Sequence, residues 1–243
     1  MKTLVIIPSR LSATRLPRKP LLKINNISII SHVFKRAEEA NIGEVIVAAE
    51  DQEIIDDVKK NGGKAIITGK NHKTGTDRIY EAFKKLNLKD VDLIMNLQGD
   101  EPNIDIRDIV SLNNFMKSSK ANIGTLASKI NDNNMYSNEN VVKVITEKVL
   151  EDKNFLKALN FKRKINEIKN NIYHHIGIYC YSVEALEKFV NLKQSENEIK
   201  NRLEQLRALD NQQIINVALA NSSPIGVDTE EDYLAIKKIM EYK

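Results

Sequence analysis

Tryptophan is absent, and the 243-residue chain has one cysteine, five prolines and nine glycines. A lone thiol, Cys180, excludes an intrachain disulfide and any metal site built from several cysteines; a reducing cytoplasm is its natural setting. No apolar run approaches the roughly 18 residues of a membrane-spanning helix. The opening MKTLVIIPSR lacks a following small-residue cleavage site and reads as a first strand, not a signal peptide. Neither GxGxxG nor GxxxxGK[ST] occurs, so a Rossmann dinucleotide site and a P-loop are both excluded. Any phosphate must be held by side chains. Acids are locally missing too: residues 1–37 hold eight lysines and arginines, and the first acid is Glu38. The net charge of +4 does not indicate a nucleic-acid binder, whereas this local excess suits a compact polyanion.

What is present is ordinary for a globular domain: 42% hydrophobic and 29% charged residues, enough for one medium domain with a sizeable core. Apolar runs at 3–9, 44–49, 64–68, 91–97 and 122–130 alternate with amphipathic stretches at 28–41, 51–63, 75–86 and 105–117. That rhythm predicts an α/β architecture, a mostly parallel sheet with helices on both faces. From 133 to 181 it changes: VVKVITEK and IYHHIGIYCYS read as strands around a polar stretch, an excursion from the main order. Helices near 183–192 and 198–209, a strand IINVALA and a helix from Thr229, with Thr229 and Asp232 as a capping box, complete the chain. The whole of 1–243 is expected to form a single domain with the 133–181 excursion.

In open parallel sheets ligands bind beyond the carboxyl ends of the strands, which singles out loops 8–23, 69–77, 98–103 and 221–228. The first carries Arg10, Arg15, Arg18 and Lys19, residue types that grip phosphate oxygens, and otherwise reads as a solvated basic loop. In NLQGDEP, Asp100 suits Mg²⁺ and Gly99 a close backbone approach, or Asp100 and Glu101 merely form a turn before Pro102. Asp228, in GVDTEED, is either a helix cap or a second metal ligand beside Asp100. Gly75, Thr76 and Arg78 either cap a helix or read a base or phosphate. His174 and His175 alternate on a strand and face opposite sides, a poor metal pair in which either ring is a candidate ligand-facing donor or simply structural. In NRLEQLRAL, read as one helix, Leu203 and Leu206 point inward while Glu204, Gln205 and Arg207 belong on the surface. His32 and His72 carry no argument.

Taken together, IIPSRLSATRLPRKPL, TGTDR, NLQGDEP, VVKV, HIGIYCY, LEQLR and GVDTEED resemble the 3-deoxy-manno-octulosonate (Kdo) cytidylyltransferases over essentially the whole chain. The resemblance implies a three-layer fold of the nucleotide-diphospho-sugar transferase type with a small strand-rich dimerisation excursion, a cytoplasmic homodimer, and transfer of CMP from CTP to Kdo for lipopolysaccharide assembly. It implies Arg10, Arg15 and Lys19 around the triphosphate, with Gly75, Thr76, Arg78 and Gln98 on the nucleotide. Asp100 and Asp228 would hold Mg²⁺ and, with Lys19 and Arg10, form the catalytic set. Arg163, His175, Glu204, Gln205 and Arg207 align with the sugar-acid side. The chain departs from the family pattern at several places. Ala13 replaces serine and Arg18 replaces glycine, adding bulk and charge beside the phosphates. Lys162 replaces serine before Arg163, KINE follows it, and SENE stands for SPLE. These leave open another 2-keto sugar acid, amino-Kdo or sialic-type, and a CTP-binding protein that has lost catalysis.

Overall fold

Apolar runs too short for a membrane and too continuous for a half-wet strand are expected to be buried on both faces. In a computed structural model, which describes residues 1–12 and 15–241, the first such run lies in the interior of one of two compact units. The first unit comprises Met1–Val110 and the chain from Pro224 on; the second is Ser111–Ser223. No helix among the described residues is long and apolar enough to cross a membrane.

The first unit opens with β1 (Thr3–Ser9), a 3-10 turn at Lys19–Leu21, and the two-residue strands β2 (Lys23–Ile24) and β3 (Ile27–Ser28). Then follow α1 (Ile29–Glu39), β4 (Gly43–Ala49), α2 (Gln52–Lys60), β5 (Ala65–Ile67), α3 (Gly75–Leu86) and β6 (Leu93–Asn96). The strands run in the order β5-β4-β1-β6, all parallel, with β1 pairing along Thr3↔Gly43 to Ser9↔Ala49 on one side and Thr3↔Leu93 to Ile6↔Asn96 on the other. Val5, Ile6, Ile7 and Ile94 are fully buried between the helices. Helix α3 starts at a reciprocal capping box, Thr74 Oγ1 accepting from Asp77 N–H and Asp77 Oδ2 from Thr74 N–H, each at 3.2 Å. The division between units falls inside α4 (Ile106–Ser119).

The second unit contains β7 (Ile123–Ser128), α5 (Asn134–Ser137), β8 (Lys143–Thr146), β9 (Phe155–Lys162), β10 (Ile172–Ser182), α6 (Val183–Asn191), α7 (Glu196–Asn201), α8 (Leu206–Asp210) and β11 (Ile215–Leu219). Its strand order is β10-β7-β11-β9-β8, and β10 pairs with β8 as well, so the row bends back to its first member. Only β11 and β7 are parallel; β10–β7, β10–β8, β8–β9 and β9–β11 are antiparallel. The expectation of a mostly parallel sheet therefore holds for the first unit and fails here, where the strands are mixed. The reason is connectivity: β8, β9 and β10 follow one another without the helical crossover that parallel neighbours require. Strand β9 is an addition to the elements read from sequence; FLKALNFK leaves Leu159 59% exposed, which blurs the alternation that marks a strand.

The helix expected over 198–209 is two short helices, α7 and α8, separated at Arg202, whose backbone is left-handed (φ 52). Good helix formers flank the break, so tertiary contacts override propensity. The chain returns to the first unit for α9 (Glu230–Glu241), where Val227 and Ile236 join Ile24 and Ile29 in a satellite core packed by Leu16, Leu22, Tyr233 and Met240.

Candidate active site

The loops after β1, β5 and β6, together with Asp228 from the segment before α9, converge on one cavity of about 380 Å³. Arg10, Arg15, Lys19, Gly75, Arg78, Gln98, Asp100 and Asp228, all singled out in the sequence, border it. Thr76 does not; it is buried in the first turn of α3. Ala13 lies outside the described residues.

An ionic cluster joins the first of these segments to the two that carry Asp100 and Asp228. Lys19 Nζ donates to Asp100 Oδ2 at 2.6 Å and to Asp228 Oδ1 at 3.1 Å, while Arg15 donates to Asp228 Oδ2 at 2.9 Å. Burial works against a charge on Lys19, but Asp100 and then Asp228 outweigh it and raise the ammonium pKa above its usual value. The two carboxylates thus face one another across a single nitrogen.

Local structure explains how residues so far apart in sequence meet. A Cβ at position 99 would stand 2.9 Å from the Pro8 carbonyl oxygen, so glycine alone lets the loop after β6 cross the end of β1. Val227 N–H donates to the Asp100 carbonyl at 2.9 Å, fastening the C-terminal segment to that loop. Thr229 and Asp232 form the capping box of α9, and Asp232 Oδ2 accepts from Asp228 N–H as well, at 3.1 Å. Thr229 is the cap, which leaves the Asp228 carboxylate to Lys19 and Arg15.

Two arginines take positions that spacing does not reveal. Arg78, 3% exposed, donates to Thr68 Oγ1 at 2.7 Å and to the Gly69 carbonyl at 3.0 Å and pairs with Glu50, so it ties the segments after β4 and β5 together at the cavity wall. Arg18 adopts a left-handed backbone (φ 58), the conformation that glycine takes most easily, and its guanidinium pairs with exposed Glu53 of α2. It is not among the residues bordering the cavity. The expected bulk and charge beside the phosphates are directed to the surface instead. His72, which carried no argument in the sequence, does border the cavity and pairs with Glu81. Although burial opposes it, contacts from Lys85, the Gly69 N–H and His72 hold the Glu81 carboxyl down at about 2. Nothing in the spacing of HKTGT signals this pairing.

The donor set fits a hard divalent cation. Mg²⁺ ordinarily takes one or two carboxylates plus substrate phosphates, and Asp100 and Asp228 converge in that manner. Among the described residues no group of three or more His, Cys, Asp or Glu gathers at one point, as a cage made wholly of protein would need.

The residues that the sequence resemblance assigns to a sugar acid belong to the second unit. His174 Nδ1 lies 3.0 Å from Ser223 Oγ. His175 is buried, its Nε2 3.0 Å from Thr125 Oγ1, and the Thr125 hydroxyl donates to the Ile178 carbonyl at 2.7 Å. That network assigns the ring proton to Nε2, donating to Thr125, and leaves Nδ1 as an acceptor. Burial, with a small contribution from His174, lowers the His175 pKa to about 3, so the ring is neutral. A register shift in β10 between Ile176 and Tyr179 brings the His175 and Tyr179 rings to 5.3 Å. Tyr179 Oη is sealed from solvent and finds no well-formed hydrogen bond, marking a residue that the sequence reading passed over.

Glu204 and Gln205, both half-buried, sit in the segment between α7 and α8, which is clamped from two sides. Arg163 donates to the carbonyls of Glu139 (2.9 Å), Asn201 (2.9 Å) and Arg202 (3.0 Å), closing the C-terminal end of α7. Arg207, expected on the surface, is 2% exposed; it donates to Glu198 Oε2 at 2.8 Å and Oε1 at 2.6 Å and lies 4.7 Å from the Phe189 ring centroid. Burial of this arginine is tolerated because a buried carboxylate meets it in a bidentate pair. The departure SENE is explained here: Ser195 and Glu198 form the α7 capping box and Glu198 the buried pair, while the changed Glu196 and Asn197 are exposed.

Comparison with known proteins accords with this architecture. Residues 4–217 match the family model described as Cytidylyltransferase. The chain is 40% identical over 242 residues to the 3-deoxy-manno-octulosonate cytidylyltransferase of Bartonella tribocorum, covering 99% of both chains, and 42% identical over 243 residues to that of Rhodopseudomonas palustris strain BisB18, covering 99% of this chain and 98% of the relative. The solved structure of CMP:2-keto-3-deoxy-manno-octonic acid synthetase complexed with CTP superposes with a TM-score of 0.89 at 33% identity, over 100% of this chain and 99% of that one. UTP-bound UGPase from Acinetobacter baumannii, 13% identical with a TM-score of 0.69 over 98% and 93% of the two chains, shares the fold alone. The chain belongs to the cytidylyltransferase family, among the 3-deoxy-manno-octulosonate cytidylyltransferases.

Proposed function

We infer that this chain transfers CMP from CTP to the anomeric hydroxyl of 3-deoxy-D-manno-octulosonate, giving CMP-Kdo and pyrophosphate for lipopolysaccharide assembly. The observation that carries the mechanism is the meeting of Arg15, Lys19, Asp100 and Asp228 at one cavity, in a chain about 40% identical end to end to enzymes named for this activity. In the reaction the anomeric oxygen forms a bond to the α-phosphorus, the bond from that phosphorus to the bridging β-oxygen breaks, and pyrophosphate leaves. The hydroxyl proton passes to solvent; among the described residues no side chain of the cavity stands out as its base.

The residues act mainly by position and charge. Arg10, Arg15 and Lys19 bind the triphosphate and offset the charge that grows on the leaving pyrophosphate. Arg78, at the cavity wall, fixes the Thr68–Gly69 segment. Asp100 and Asp228 are the residues that would hold Mg²⁺, which would supply positive charge to offset that of the phosphates and to acidify the attacking hydroxyl. On the acid side, the neutral His175, the Tyr179 hydroxyl, Glu204 and Gln205 supply hydrogen-bonding groups, and Arg163 and Arg207 fix the segment that carries the last two. Exposed apolar residues of the second unit, among them Val149, Leu159, Ile168, Ile199 and Ile214, support a homodimer, and light scattering at the mass of one chain would remove that part of the reading.

Pyrophosphate release with CTP, Mg²⁺ and Kdo, beside amino-Kdo, N-acetylneuraminate and no-acid controls, tests the reading. Release with Kdo alone is expected. Release only with another acid reassigns the substrate, and CTP binding with no release from any acid makes the chain an inactive binder. Asp100→Asn is expected to lower kcat by at least about 100-fold with the fold intact by circular dichroism. Near-normal turnover of that variant would remove Asp100 from the catalytic set.

A further inference from the structure

Lys19 and a divalent cation have a claim on the same oxygens. The Lys19 ammonium already lies 2.6 Å from Asp100 Oδ2 and 3.1 Å from Asp228 Oδ1, with a side chain only 13% exposed, and Arg15 takes the other oxygen of Asp228. Around the cavity, Arg10, Arg15, Lys19 and Lys73 stand against those two carboxylates, since Arg78 is matched by Glu50. Four cations against two anions disfavour the entry of a bare divalent ion and favour a metal already carrying a polyphosphate.

We propose that Lys19 is an exchangeable cation in the carboxylate pair, so that the site takes up its metal together with the nucleotide and the arriving metal releases Lys19 toward the phosphates. This inference rests on the reading of Asp100 and Asp228 as metal ligands. It adds to that reading an order of events and a second position for Lys19. The ammonium neutralises the carboxylates until the metal–triphosphate arrives, then turns to the oxygens of the departing pyrophosphate.

Mn²⁺ binding, followed by the spin-resonance signal of the free ion, tests this without any turnover. The full-length protein is titrated with Mn²⁺ alone and with CTP present, and Lys19→Met and the double variant Lys19→Met/Asp100→Asn are treated alike. Without nucleotide the unaltered chain is expected to bind Mn²⁺ weakly and Lys19→Met about tenfold more tightly or better, because one positive charge has left the pair. The double variant is expected to lose the gain. CTP is expected to tighten Mn²⁺ binding to the unaltered chain. Equal Mn²⁺ affinity of the unaltered chain and Lys19→Met without nucleotide would overturn the exchange while leaving Asp100 and Asp228 as ligands. A gain that survives Asp100→Asn would overturn it too. No uptake by any form even with CTP would overturn both the exchange and the ligand assignment on which it rests.

Discussion

Arg18 shows how much a single backbone conformation decides. Its φ of 58 places it where glycine is at ease, and its side chain is spent on Glu53, two exposed groups whose pairing contributes little in water. Arg18→Gly is therefore expected to leave kcat and the KM for CTP within about twofold of the unaltered values; a larger change in KM would mean that Arg18 reaches the nucleotide. His175 makes a different kind of prediction. Its pKa, about 3 in the fold, lies below the ordinary value of 6.5, so the unfolded chain binds the proton more tightly. The neutral ring's contribution is fully present above about pH 6.5 and is lost as the pH falls toward 3, with a slope of at most about 1.4 kcal/mol per pH unit for one proton. Denaturation midpoints measured across that window should fall more steeply for the unaltered chain than for His175→Gln. Parallel curves would show that His175 is not the group that resists the proton.

At the scale of elements, helix starts do much of the positioning. Asp232 holds Asp228 N–H, Thr229 N–H and the Thr229 hydroxyl, so one carboxylate fixes both the start of α9 and the residue that faces Lys19. Asp232→Ala is expected to cost about 1 kcal/mol of stability, as a lost cap does. It is also expected to raise the Mg²⁺ concentration needed for half-maximal rate several-fold, with Asp232→Asn recovering part of that. A stability loss with unchanged Mg²⁺ dependence would reduce Asp232 to a cap. The box at Thr229 and Asp232 follows from a pattern a few residues long, which is why it is legible in the sequence; at TGTDR the sequence marks only a helix cap, and the structure assigns the box to Thr74 and Asp77. The break between α7 and α8 is not legible, because NRLEQLRAL has good helix propensity throughout. What divides it is remote: Arg163 on the terminal carbonyls of α7, and the Glu198–Arg207 pair folding the segment back.

For the molecule as a whole, the cavity proposed to take the nucleotide is bordered by residues of the first unit only, among those described. CTP with Mg²⁺ is therefore expected to slow amide hydrogen exchange at 8–12, 15–20, 72–78, 98–100 and 227–229, while amides of β8 and β9 exchange at unchanged rates. Equal protection across both units would show that nucleotide binding is not confined to the first.

By itself the sequence determined what depends on near neighbours. This covers the alternation that builds the parallel strands of the first unit, the helix starts, the four loops beyond the strand ends, and the residue types suited to phosphate and Mg²⁺ within them. Tertiary structure alone decided the rest. Residues 15, 19, 100 and 228 form one ionic cluster because Gly99 lets the loop after β6 cross β1, Val227 N–H bonds to Asp100, and the satellite core packs Leu16 and Leu22 with Val227. Arg207 is buried because Glu198 meets it, and Arg18 faces α2 because its backbone is left-handed. Periodicity and capping act over a few residues and leave a trace in the local sequence. A charge's partner, and with it the burial that the charge can tolerate, is fixed by chain crossings that leave none.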